Sequence, residues 1–420
     1  MKRIAIGGLL ALAVATSTAA ADRRADRKYV ELYNRLVRTV AENFYDPNLH
    51  GSSWQTVAQH YRPRLRNVRT DQDFQRLGEQ MLVELASGQI ELSMPTEAEA
   101  DWTGVGVRAW KMGKDLVVQE VDPISDARRQ GLQPGDVILT PERELSGPAG
   151  TAASIRIRSC EGPEKLVSVR REGAFWPPQR PTFRWSVLRA GENRSIGYLR
   201  VDAFEDDAAE LADRAMADLK DTDALIVDVR YNATGNASAL RLASYFTEGS
   251  QPGFIHLTRP WLKQRGGLPD AGQVLAAPKA TGVYTTAGVQ RALAANGGAV
   301  ALWTEDLGPR RYTRPVIVLQ GEGTASAAEG FAWLMKLKTK ATVMGRKTAG
   351  ALLGSETFDL GQGWSVTLPT HGVWAAEGTS GDRPVPPQVV LPMSRASMCS
   401  GRDADLEAAM DRLTGARPAV

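Results

Sequence analysis

The sequence predicts an α/β protein built in three successive parts: a helical lead, a small β-rich unit and a larger core in which strands alternate with helices. Three patterns carry this expectation. Apolar residues recur at three- and four-residue steps between Lys28 and Leu92, as on one face of a helix. Short β-type runs separated by turn residues fill the stretch from Trp102 to about Gly173. From Arg194 onward, fully apolar runs alternate with amphipathic ones, the order of a largely parallel sheet covered by helices.

The first residues are Met1-Lys2-Arg3, an apolar run from Ile4 to about Val14, and Ala19-Ala20-Ala21 ahead of Asp22. This is the layout of a secretory signal peptide over residues 1–21, and its apolar run falls short of the ~20 residues of a membrane span. The expected mature protein is soluble and periplasmic or secreted. In the helical region, residues 22–100, Tyr29, Leu32, Leu36, Val37 and Val40 form one stripe. Phe74, Leu77, Met81, Leu82 and Leu85 form another, and Phe44 to Gly51 connects the two.

The β-rich unit, residues 101–173, contains the runs Leu116–Val118, Val137–Leu139, Ser154–Ile157 and Leu166–Val169. Inside it, Pro123 suits a helix start, Gly131 its C′ position, and Pro134-Gly135 a turn into the next strand. In the core, residues 174–398, strands are expected at 195–201, 224–229, 315–319 and 341–345, with helices at 206–219 and 325–337. Residues 260–290, rich in Gly, Pro and Ala, read as a surface insertion. The segment 399–420 closes the chain with a helix over 404–413.

With 420 residues the chain fits two or three domains. A net charge of +3, with both signs mixed along the chain, gives no basic tract that would point to nucleic acid or anionic lipid. His50, His60 and His256 have no metal-ligand spacing, so neither metal nor cofactor is expected. Cys160 and Cys399 read either as one clamp between the middle and the end of the chain or as two separate buried thiols.

Two segments could carry chemistry. In Gly321-Glu322-Gly323-Thr324-Ala325-Ser326-Ala327-Ala328-Glu329 a serine stands where a buried strand gives way to a helix, at the positive end of the helix dipole. That position suits a nucleophile. The spacing of Ser326 and Glu329 is equally that of a capping box. The second segment, Asp228-Val229-Arg230-Tyr231-Asn232-Ala233-Thr234-Gly235, follows the central strand, where α/β sheets place ligand crevices. Its glycine could turn an amide toward a substrate carbonyl, or could simply serve a strand-to-helix turn.

Taken in order, these segments resemble the C-terminal processing (tail-specific) serine protease family, which includes the tricorn-type proteases. Further matching stretches are Phe44-Tyr45-Asp46-Pro47 with His50-Gly51 and Trp54, Ile196-Gly197-Tyr198-Leu199, and Gly345-Arg346-Lys347-Thr348-Ala349-Gly350. The run Gly131-Leu132-Gln133-Pro134-Gly135-Asp136 is similar to a PDZ signature. The resemblance implies a ClpP/crotonase-like core with Ser326 as nucleophile and an oxyanion hole from the amides of Gly235 and Ala327. It also implies a PDZ-like module whose loop Gly104-Val105-Gly106-Val107 holds a peptide's terminal carboxylate. The segment from Pro141 to Thr151 is short and irregular for the helix that normally lines such a groove.

The chain departs from the family where a serine needs its base. Ala351 occupies the position of the tail-specific lysine, and Gln89 that of the tricorn-type histidine. Lys347, in the same turn as the missing lysine, and His371 are the substitute candidates. The reading is an exported serine endopeptidase acting on unfolded or C-terminal segments of envelope proteins. Its alternative is a degenerate family member that binds peptides or proteins without cleaving them.

Overall fold

The stripe at three- and four-residue steps in the lead becomes the buried face of the helix Arg27–Asn43, with Tyr29, Leu32, Tyr33, Leu36 and Val40 all inside. The helices Trp54–Tyr61 and Asp71–Leu82 follow, the latter opened by a capping box between Thr70 and Asp73. An amphipathic helix needs an apolar partner. Here the partner comes from far along the chain. The computed structural model describes residues 26–51, 53–95, 102–160, 162–172, 181–190 and 193–415. In it the chain forms two units, one from Met1–Pro95, Ser250–Glu305 and Gly350–Pro384, the other from the remaining residues. The signal-peptide reading falls outside the described residues.

In the first unit a mostly antiparallel sheet runs in the order Glu91–Ser93, Trp364–Trp374, Pro252–Thr258, Ala299–Trp303, Lys279–Ala280, with Leu353–Gly361 paired to Trp364–Trp374. One face packs on the three helices: Ile255, Leu257, Ala299, Ala301, Val366 and Leu368 share a buried cluster with the helical stripes. Phe74 stacks on Tyr29 at 5.6 Å between ring centres and meets Trp364 edge-on at 4.9 Å. Residues 260–290 are mostly exposed, as their composition suggests, but they are also anchored: Trp261 and Leu262 of the helix Arg259–Gln264, Val274 of Ala271–Leu275, and Ala277 beyond it are buried in this cluster.

Among the described residues the second unit holds three sheets, one of them only a two-stranded pair. The β-rich part is a five-stranded antiparallel sheet, Val107–Met112, Asp115–Val121, Val137–Ile138, Ala152–Arg158, Glu164–Arg170, over a core that includes Val118, Ile155, Ile157 and Val169. Its short helix Asp126–Arg129 starts later than Pro123 suggests, because Ser125 is the cap and accepts from the Arg128 amide. Gly131 follows with φ 78. Between Pro141 and Thr151 there is one 3-10 turn, Glu142–Leu145, and the strand Ser146–Pro148, which pairs with Trp102–Gly104.

The larger sheet has the order Val389–Val390, Thr342–Gly345, Val316–Gln320, Ala224–Asp228, Arg194–Val201, Phe183–Ala190, parallel throughout except for the last pair. Every residue of Ala224–Asp228 and Val316–Gln320 is buried, as in a sheet covered on both faces. Of the two readings of the cysteines, the clamp is the one formed: Cys160 and Cys399 are bonded, with Cα atoms 5.5 Å apart across 239 residues of sequence. The bond ties the β-rich part to the helix Arg395–Cys399.

Phe74→Ala should destabilise the first unit by about 3–5 kcal/mol through the cavity it leaves. An earlier urea midpoint of tryptophan fluorescence is the expected result. An unchanged midpoint would show that this ring does not hold the helices to the sheet.

Candidate active site

Three loops leave the carboxyl ends of adjacent parallel strands, after Asp228, Gln320 and Gly345, and backbone and hydroxyl bonds tie them together. The Gly321 amide donates to the Thr324 hydroxyl at 3.0 Å, and that hydroxyl donates to the Val229 carbonyl at 2.8 Å. The Ala325 amide donates to the Asn232 carbonyl at 2.9 Å, and the Ala349 amide to the Thr324 carbonyl at 3.0 Å. The loop carrying Ser326 is thus fixed from both sides.

Ser326 precedes the helix Ala327–Lys338 with φ 54 and ψ −130. An ordinary N-cap sits in the β region. A non-glycine residue held at such an angle costs about 1–3 kcal/mol, and strain of this kind persists only where the surroundings impose it. The capping-box reading nevertheless holds: Ser326 and Glu329 form the reciprocal pair, with the Ser326 amide donating to Glu329 Oε2 at 3.1 Å. Glu329 is buried, and its other oxygen accepts from the Thr348 hydroxyl. Thr348 accepts in turn from the Val385 amide at 2.8 Å. Ser326 itself is partly exposed.

Gly235 has φ 140, and a Cβ there would lie 2.6 Å from the Phe204 Cβ, so no side chain fits. The bridge to Phe204 uses the Thr234 carbonyl and the Asn236 amide, which leaves the Gly235 amide pointing the other way. Ala327 is the first residue of its helix, where amides lack an intrahelical acceptor. Among the described residues neither amide has a protein acceptor. Behind them lies Asn232, fully buried, with Oδ1 accepting from the Thr234 amide at 3.3 Å and Nδ2 unpartnered.

The loop after Asp228 is anchored by charge. Arg230, 5% exposed, donates to both oxygens of Asp228 at 3.0 and 2.8 Å. It also donates to both oxygens of Asp403 at 2.7 Å and to Asp405 at 3.1 Å. Burial alone would raise the Asp228 carboxyl. The Arg230 charge and hydrogen bonds, with help from Arg200 and the Tyr198 hydroxyl, outweigh it and bring the carboxyl down to about 2. Tyr231, the next residue, has the guanidinium of Arg200 at 4.7 Å from its ring centre and those of Arg230 and Arg108 slightly farther out. Trp110 from the edge strand of the β-rich part lies 5.9 Å from Tyr231. The same ring leaves no room for a Cβ at Gly323, in the serine loop. Nothing in the local sequence around Trp110, Asp403 or Asp405 signals these contacts.

The residues considered as bases are not all together. Lys347 belongs to the same unit as Ser326 and is exposed. His371 belongs to the first unit, on Trp364–Trp374, with its ring 5.3 Å from that of His256 on the neighbouring strand. Burial pushes His371 down to about 4 and, with the charge of His371 added, takes His256 well below the ordinary range. Neither ring nitrogen of His256 has a partner. Gln89 and Ala351, at the two positions where the resemblance expects a base, lie on touching segments of the first unit. A Cβ on Gly88 would be 3.3 Å from the Ala351 Cβ and 3.0 Å from the Gly350 carbonyl. Gln89 accepts from the Ser355 hydroxyl at 3.2 Å.

In the β-rich part, Gly104 ends a strand, Val105 is buried, Gly106 takes φ 78 and Val107 begins the next strand. The Val105 and Gly106 amides have no acceptor among the described residues. Among the described residues Val107–Met112 pairs with Asp115–Val121 alone, and its other edge carries no partner strand there.

Residues 195–391 match Peptidase family S41, and residues 25–83 match the Tricorn protease C1 domain. The chain is 26% identical over 413 residues to a carboxyl-terminal-processing protease of Synechocystis sp., covering 90% of this chain and 85% of that one. A solved photosystem II D1 C-terminal processing protease superposes with a TM-score of 0.58 at 18% identity, over 94% of this chain and 98% of that one. Mature CPAF gives 0.64 at 14%, over 93% and 99%. The fold is that of C-terminal processing proteases, and the resemblance holds in both the helical lead and the core.

The histidine pair makes a signed prediction. Both imidazoles are held below the 6.5 of an unfolded histidine, so the unfolded chain binds more protons as the pH falls below about 6.5. Their contribution to stability is complete above that value and lost as the pH drops towards about 4. His371→Gln should flatten this acid limb of a Tm-against-pH curve. A limb of unchanged slope would contradict the assignment.

Proposed function

We propose that this chain, whose residues 195–391 form a family S41 peptidase segment, is an exported serine endopeptidase that grips the free, unstructured C-terminus of an envelope protein and cleaves it through an acyl-enzyme on Ser326. The observation that carries this reading is the backbone of Ser326 at φ 54 and ψ −130. A helix cap has no use for that strain, whereas a nucleophile presented on a sharp strand-to-helix turn does.

In the reaction the Ser326 oxygen bonds to the scissile carbonyl carbon, and the oxyanion accepts from the Gly235 and Ala327 amides. The C–N bond breaks, the amine leaves with a proton, and water hydrolyses the ester. Lys347, in the same unit as Ser326, takes the proton from it in this scheme. The substrate backbone adds to the open edge of Val107–Met112, with its carboxylate at the Val105 and Gly106 amides. The disulfide supports a periplasmic or secreted location after signal-peptide cleavage, since such bonds persist in oxidising compartments. The relatives' processing of carboxyl termini supports the substrate class.

A second reading, a peptide- or protein-binding member without hydrolase activity, is favoured by Gln89 and Ala351, neither of which can accept a proton at neutral pH. Fluorophosphonate labelling separates the two. The first requires an adduct on the native protein that Ser326→Ala abolishes; no Ser326-dependent adduct selects the second. For the module, a peptide ending in a free carboxylate should bind more tightly than its amidated twin, and equal affinity would rule out carboxylate capture.

A further inference from the structure

The three loops of the candidate site converge on two carboxylates near the end of the chain. Asp403 caps the helix Ala404–Thr414 and accepts two bonds from Arg230, in the loop after Asp228. Asp405 accepts from the same guanidinium and, at 2.6 Å, from Arg346 in the loop after Gly345. Arg346 reaches the third loop as well. The Gln320 side chain donates to its carbonyl at 2.8 Å, and a Cβ on Gly321 would lie 3.4 Å from its guanidinium. Together Asp228, Asp403 and Asp405 occupy every N–H of Arg230.

The segment that carries these aspartates is itself fastened at both ends. Its helix packs Leu406, Ala409, Met410 and Leu413 against the cluster of the larger sheet. At the other end Cys399 is bonded to Cys160 of the β-rich part, and Arg395 donates to the Gly135 and Ser159 carbonyls at 2.8 and 3.1 Å.

We infer that Asp403 and Asp405 are positioning residues for the serine site. They form a carboxylate clamp that holds the loops of Gly235, Ser326 and Arg346 in one arrangement, on a strap whose register is fixed by the Cys160–Cys399 bond. Removing the charges leaves a buried Arg230 with Asp228 alone and Arg346 without its acceptor, so the loops are free to separate while the strands beneath them keep their ladder. Through the strap, the covalent attachment of the β-rich part reaches the site by a second route, beside the packing of Trp110 on Tyr231 and Gly323. The inference rests on Ser326 acting as nucleophile only for its reactivity arm.

Hydrogen exchange on the full-length protein tests the clamp independently of chemistry. In Asp403→Asn/Asp405→Asn, amides of residues 229–236 and 321–328 should exchange at least about tenfold faster, with Val316–Gln320 still protected. The Ser326 labelling rate should fall in parallel and affinity for a free-carboxylate peptide should not change. Asp403→Glu, which keeps the charge, should recover most of the protection that Asp403→Asn loses. If the double variant does not fold, Asp405→Asn alone and Cys160→Ser/Cys399→Ser give the same reading, each with a smaller rise confined to those loops. Unchanged exchange in the loops, or loss of protection spread evenly over both sheets, would overturn the clamp. A native protein that never labels would overturn the hydrolase reading instead, and the exchange comparison would still decide the clamp.

Discussion

The backbone angle at Ser326 is the constraint on which the candidate site depends. Ser326 caps its helix through a box with Glu329, yet its φ of 54 is not the β-region angle that helix caps ordinarily take. It is held there by the surrounding bonds: Ala325 to the Asn232 carbonyl on one side, Ser326 to buried Glu329 on the other, and Ala349 to the Thr324 carbonyl across the loop. Each of these partners comes from a different strand end of the same parallel sheet. The sheet therefore stores, in one residue, strain that its many buried contacts can absorb.

Charge organises the same region at longer range. Asp228, Arg230, Arg346 and Asp405, all at most 17% exposed, form with the more exposed Asp403 one network in which an unpaired buried member would be costly. Their mutual bonds fix the orientation of the loops more than they stabilise the fold, since buried ion pairs contribute little net stability. Positions 89 and 351 hold Gln and Ala, neither of which can accept a proton at neutral pH.

The fold was legible wherever the pattern is local. The stripe from Tyr29 to Val40, the apolar strands at 224 and 316, and the Gly131 turn could all be read from neighbouring residues, and each formed with its ends shifted by only a few positions. The anchors of residues 260–290 were not legible, because the buried side chains of this mostly exposed segment are sparse and pack on a sheet assembled from distant segments. At the site, Ser326 and Gly235 announced themselves through strand-to-helix junctions. The Arg230 clamp could not, because Asp403 lies 173 residues away and looks, in sequence, like a helix cap. Trp110 was equally silent: its role depends on how the β-rich part packs against Gly323, which no periodicity records.

The strain at Ser326 can be measured directly through the unfolding free energies of Ser326→Gly and Ser326→Ala in the full-length protein. A strained nucleophile turn predicts that glycine, free at positive φ, is the more stable of the two by about 1 kcal/mol or more. An alanine variant as stable as the glycine variant, or more so, would mean that the turn is relaxed and would contradict the account.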